Sequence, residues 1–178
     1  MDLGPVDRIT ADAVGEPGAR TFYIQARAGT DLVTVIVEKQ HVQLLAASVL
    51  ELLEDAAPAD PPIEEEAMAL EEPLDARWRA GRLSVGFDQD RDLFLLEVEE
   101  FRPSLDDLDV EDPLPPEPSE EPEPETIRIW ASSAQMLALS RHGAAVAARG
   151  RPLCQFCGNP IDAEGHTCPA MNGHSKPR

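Results

Sequence analysis

Residues 34–48, TVIVEKQHVQLLAAS, and residues 126–140, TIRIWASSAQMLALS, decide the fold, because each reads as a strand that runs straight into a helix. Each opens with β-branched residues that suit a pleated surface and passes within a few positions into an Ala/Leu-rich run. Laid over one another without a gap, Thr34/Thr126, Gln43/Gln135, Leu45/Leu137, Ala46/Ala138 and Ser48/Ser140 coincide. The coincidence predicts an internal duplication. The competing explanation is that any strand followed by an Ala/Leu helix would match somewhat.

Outward from these two junctions the same order of elements recurs. DRITADAV, TFYIQARA and DLVTVIVEK read as three strands, with Gly29 in the turn between the last two. QHVQLLAASVLELLEDA follows as a helix with Val42, Leu45, Val49 and Leu52 on one face, stopped by Pro58, Pro61 and Pro62. RLSVGFDQD and DLFLLEVEEF then form a predicted hairpin turning at Asp88–Asp92, and TIRIWA is a third strand. In the helix after it, Ser132 and Gln135 are placed as a capping box and Gly150 as a stop. The expected fold class is α+β: two β-β-β-α units, antiparallel sheets with helices on one side, then a small C-terminal zinc-ribbon-like element. The units span residues 1–57 and 77–150, joined by an acidic, Pro-containing linker (58–76) in which EEEAMALEE is expected to add a helical turn. Residues 103–125 hold ten acidic residues, seven prolines and no basic ones, so they are expected to interrupt the second unit as a solvated loop. The zinc element occupies residues 151–178.

Charge is unevenly distributed. The chain of 178 residues carries a net −19, yet its last 53 residues hold six basic side chains against two acidic ones. The acidic bulk opposes docking on nucleic acid or an anionic membrane, while the basic end keeps a nucleic-acid function open. The longest apolar segments break after about ten residues, too few to span a bilayer. The first residues, MDLGPVDRITADAVG, lack the basic start and apolar core of a secretion signal, so a cytoplasmic protein is expected.

All three cysteines lie in CQFCGNPIDAEGHTC, residues 154–168. Cys154 and Cys157 have the spacing of a zinc knuckle, which grips two corners of a tetrahedron. Gly158 follows where such a knuckle needs a backbone conformation opposed by a side chain, and Pro160 and Gly165 turn the chain back. His166 and Cys168 then fill the remaining corners. His174 is a rival fourth ligand, disfavoured because it lies in a polar tail. A thioredoxin-like redox pair should open a helix after a parallel strand, which this pair does not. A zinc deaminase needs His-x-Glu upstream, and the nearest candidate reads His41-Val42-Gln43. Four protein ligands leave no open position, so the expected zinc is structural.

Together, TVIVEKQHVQLLA, IRIWASSAQMLALSRHG and GRPLCQFCGNPIDAEGHTCP resemble an uncharacterised actinobacterial protein family over essentially the whole chain. The resemblance implies a soluble cytoplasmic protein without assigned activity. It also implies a trio with a phosphomutase-like histidine phosphatase and a kinase-like protein. It carries no catalytic residues over.

Elsewhere, Lys39, Gln40 and His41 stand at a strand-to-helix turn where an anion could meet backbone amides, though plain helix initiation is the simpler reading. Arg141 and His142 are expected on a solvated helix face, and Trp78 and Trp130 as core or hairpin anchors. The sequence contains no phosphate loop, nucleophile elbow or dinucleotide fingerprint. A non-catalytic protein-interaction scaffold therefore leads. The alternatives are a nucleic-acid binder using Arg141, Arg149, Arg151, Lys176 and Arg178, with Phe156 the only aromatic near them, and a ligand-binding or enzymatic protein with its pocket between the two repeats.

Overall fold

The computed structural model describes residues 1–54, 65–103, 123–150, 154–159, 161 and 165–171. Among the described residues, seven strands and two helices follow in the order β1 (Asp2–Leu3), β2 (Arg8–Val14), β3 (Thr21–Ala28), β4 (Asp31–Val37), α1 (Lys39–Glu54), β5 (Ala76–Asp88), β6 (Leu93–Glu100), β7 (Thr126–Ala131) and α2 (Ser133–Ala148). A 3-10 turn at Glu65–Met68 precedes β5, where the linker was expected to add one. The protein is α+β, and both units contain the three strands and the helix read from the sequence.

The two antiparallel meanders join edge to edge into one sheet of order β1-β7-β6-β5-β4-β3-β2. The joins are parallel: β4 with β5, and β7 with β1. The two ends of this order are one stretch of chain. Met1–Val6 runs along β7, with the Val6 amide donating to Trp130 O, and the chain then enters β2 to pair with β3. β5 does the same for the other join, pairing with β4 through its first residues and with β6 through the rest. Strands that pass from one sheet to the next turn at a bend or bulge. A glycine stands at each corner, because a Cβ on Gly4 would lie 2.6 Å from Trp130 O and one on Gly81 2.9 Å from Phe101 Cα.

The two units share one architecture, but the register in which they correspond differs from the gapless alignment. The pairs Ile9/Ala26, Ala11/Ile24 and Ala13/Phe22 in the first hairpin match Leu83/Val98, Val85/Leu96 and Phe87/Phe94 in the second. Val33, Val35 and Val37 correspond to Ile127, Ile129 and Ala131. In the helices, buried Val42, Leu45, Ala46 and Val49 correspond to Met136, Leu139, Ser140 and Gly143. Thr34 therefore stands in the place of Arg128, not of Thr126, two positions from the sequence match. Side chains that face the core set the equivalence, and the coincident letters do not. Leu52 is likewise displaced: Leu53 is buried in its stead, and Leu52 is 38% exposed.

The apolar faces of both meanders and the facing sides of both helices merge into one core, which runs from Leu3 to Ala147. At the start of α2, Ser132 Oγ accepts from the Gln135 amide while Gln135 Oε1 accepts from the Ser132 amide, the predicted capping box. Such a cap contributes about 1 kcal/mol. Gln135 also donates to Val6 O and so ties the first strand to the helix that follows the last.

Candidate metal centre

Past α2, the chain brings three sulfurs and one imidazole nitrogen to a single point. Cys154 Sγ lies 3.8 Å from Cys168 Sγ, and Cys157 Sγ lies 3.2 Å from His166 Nε2. All four donor atoms lie within 4.8 Å of one another. A tetrahedral ion with donors at about 2.0–2.3 Å needs them roughly 3.3–3.8 Å apart, a spacing that the Cys154–Cys168 and Cys157–His166 pairs approach. The knuckle is built by the backbone: the Cys154 amide donates to Asn159 O and the Gly158 amide to Cys154 O, both at 2.8 Å. Gly158 has φ of 73° and Gly165 of 92°, as expected for the two turning glycines.

The local electrostatics separate the two knuckle thiols. Backbone amides of Phe156 and then Cys157 hold the Cys154 thiol below its ordinary range. At Cys157 the Asn159 amide pulls the same way, but burial and the neighbouring Cys168 and Cys154 sulfurs outweigh it and push that thiol up. Cys154 is buried, and Cys157 and Cys168 are half-buried. The arrangement can hold one metal ion with all four corners supplied by protein. His174 lies outside the described residues.

Other candidate residues divide. His41 Nδ1 accepts from the Glu38 amide at 3.4 Å, the ordinary helix start anticipated there. Trp78 packs against the core and donates to Glu125, while Arg91 stacks 4.3 Å over Trp130 at the hairpin. Arg141 is exposed, but His142 corrects the expectation of a solvated face. Its side chain is 9% exposed, its ring nitrogens have no hydrogen-bond partner, and Nε2 stands 3.6 Å from Asp12 Oδ2. Helical spacing puts His142 beside exposed Arg141, but the crossing of β2 behind α2 covers it. Of the proposed nucleic-acid residues, Arg149 is exposed, and Arg151, Lys176 and Arg178 lie outside the described residues. Phe156 is 64% exposed.

Sequence reasoning missed a row of buried polar side chains, Thr10, Gln25 and Thr34, on the face of β2-β3-β4 away from the helices. They hold the linker. Thr10 donates to Met68 O, and Gln25 donates to Glu71 O while accepting from the Glu71 amide. Arg8 donates to Ala67 O and Ala69 O, and the Glu71 carboxylate pairs with Arg8 and Arg27. A cleft of about 690 Å³ lies between α1 of the first unit and β5 of the second, where the ligand-binding alternative puts a pocket without naming its lining, and it includes Leu44, Ser48, Leu52 and Ser84 in its lining. Leu44, an apolar residue off the buried stripe of its helix, was the available signal.

The fold and the cluster define an α+β protein of two β-β-β-α units followed by a compact Cys3His group. The chain belongs to the family described as Protein of unknown function (DUF3090), whose model matches residues 1–168. The match takes in all four donors and ends at Cys168. No curated protein and no solved structure matches the chain. Among the described residues no helix is long and apolar enough to cross a membrane.

Proposed function

We propose that the protein is a non-catalytic interaction scaffold in which Cys154, Cys157, His166 and Cys168 hold one structural zinc ion. The observation that carries this reading is the closed donor set, because an ion bound tetrahedrally to all four has no position for water or substrate. Thiolate-rich tetrahedral sites favour zinc. The position of His166 Nε2, 3.2 Å from Cys157 Sγ, supports His166 as the fourth ligand. Metal binding would be worth roughly 10–16 kcal/mol of apparent free energy to an element with so little core of its own. Three cysteines gathered as ligands suit a reducing compartment, so the proposed location is the cytoplasm. The partner is a protein, since a net charge of −19 opposes polyanions. Histidine-phosphatase-like and kinase-like proteins are the first candidates.

Metal analysis of natively purified protein is expected to give one zinc per chain. Substituted cobalt should show the spectrum of a sulfur-rich tetrahedral site that does not respond to added cyanide or imidazole. A spectrum that responds, or a turnover that disappears with the ion, overturns the proposal.

A further inference from the structure

The pseudo-symmetry of the two units exposes a difference between them. In the first unit the polar face of β2-β3-β4 is covered by residues 65–72, and Met68, 2% exposed, is buried where the turn packs against α2 and β2. Thr10 and Gln25 beneath it are fully buried. In the second unit the register puts Ser84 in the place of Thr10, Glu97 in that of Gln25, Arg82 in that of Arg8 and Glu99 in that of Arg27. Here Arg82 and Ser84 are exposed, and Glu97 and Glu99 are half-buried. With Thr126 and Arg128 these four side chains line a polar hollow of about 280 Å³, in which Arg128 pairs with Glu97 at 2.8 Å and Ser84 donates to the same carboxylate at 3.5 Å. Ser84 also lines the 690 Å³ cleft between α1 and β5, the counterpart of the α2–β2 crevice where Met68 sits. Leu44 and Leu52 on its wall are 59% and 38% exposed, whereas Val146, in the place of Leu52, is 3% exposed.

We propose that this open face of the second unit binds a short segment of a partner protein in the way the first unit binds its own linker. An apolar anchor such as Met or Leu enters the cleft between α1 and β5. Ser84 and Arg82 donate to the segment's carbonyl groups, as Thr10 and Arg8 do to those of Ala67, Met68 and Ala69. The charge requirement changes at one position. Where Arg8 and Arg27 receive Glu71, the second unit offers Arg82 and Glu99, while Glu97 is already paired with Arg128, so the residue after the anchor that meets Glu99 is Lys or Arg. This proposal rests on the scaffold reading and supplies its binding surface.

The probe is a fluorescent octapeptide copied from residues 65–72, EEAMALEE, with its last two glutamates replaced by lysine, titrated against the full chain. Saturable binding is expected, weakened at least tenfold by Leu44→Glu and by Glu99→Lys, with the melting temperature of both variants unchanged. Glu99→Lys should in turn improve binding of the unaltered EEAMALEE peptide by about tenfold. Absence of binding, or binding indifferent to both substitutions, refutes the proposal. So does a concentration-dependent dimer dissolved by Leu44→Glu, which would assign the face to a second copy of the chain. None of these failures touches the cobalt spectrum or the turnover test, so the scaffold reading stands or falls separately.

Discussion

Gly143 is where α2 meets both α1 and β2, and its replacement tests the packing of the core that the two units share. A Cβ there would lie 2.9 Å from Val42 Cγ1 and 3.4 Å from Ala11 Cβ. Val42 is 2% exposed and Ala11 fully buried, and a β-branched side chain in a helix has little rotamer freedom with which to yield. Replacing a mid-helix glycine by alanine contributes about 1 kcal/mol through propensity. Forcing a methyl into a filled core costs about 1–3 kcal/mol. Gly143→Ala is therefore expected to be neutral to about 2 kcal/mol destabilising, instead of stabilising as at an open helix site. Val42→Ala alone should cost about 2 kcal/mol for two buried methyl groups and the space they leave. In the Val42→Ala background the clash is gone, so Gly143→Ala should turn stabilising by about 1 kcal/mol. Urea denaturation of the four proteins measures the cycle. A 1 kcal/mol change moves the melting temperature by about 2–4 °C at this size. Additivity within about 0.5 kcal/mol would show that the helices do not meet at Gly143, and the close approach would be refuted.

Metal removal should release the Cys3His element while the body of two units keeps its melting transition, because among the described residues the apolar core cluster ends at Ala147; hydrogen exchange with and without a chelator reads both regions at once. Cys168→Ser and His166→Ala should each abolish stoichiometric zinc without shifting the body's melting temperature. Gln25→Ala should cost about 1–3 kcal/mol by leaving Thr34 and the Glu71 backbone without their buried partner, and should speed exchange of the Glu71 amide specifically. Glu100 accepts from the Glu125 amide and from Arg102, and these hold its carboxyl below the ordinary glutamate range. Its contribution is therefore full above that range and is lost as pH falls through the lowered value. Glu100→Gln should flatten the decline in urea midpoint between about pH 5 and pH 3, and an unchanged slope would contradict the assignment.

The elements and the donor set were legible because their signals are short-range. The strand-to-helix junctions at 34–48 and 126–140, the capping box of Ser132 and Gln135, and the Cys154–Cys168 spacing each complete their pattern within about one turn or one loop. Nothing local distinguishes Leu52 from Leu53 as the buried residue, or marks His142 as covered. Those outcomes depend on which neighbour packs across the helix.

The sequence by itself determined two β-β-β-α units and a cluster of three cysteines and one histidine, since periodicity and spacing act through adjacent residues. Only the tertiary structure decided that the first strand closes the sheet against the last, and that the repeats align two positions away from their matching letters. It alone decided that, among the described residues, one unit's polar face is covered and the other's open. Each of these is fixed by which side chains meet across the core from distant parts of the chain, and that choice minimises exposed apolar surface and unpaired buried polar groups over the whole molecule.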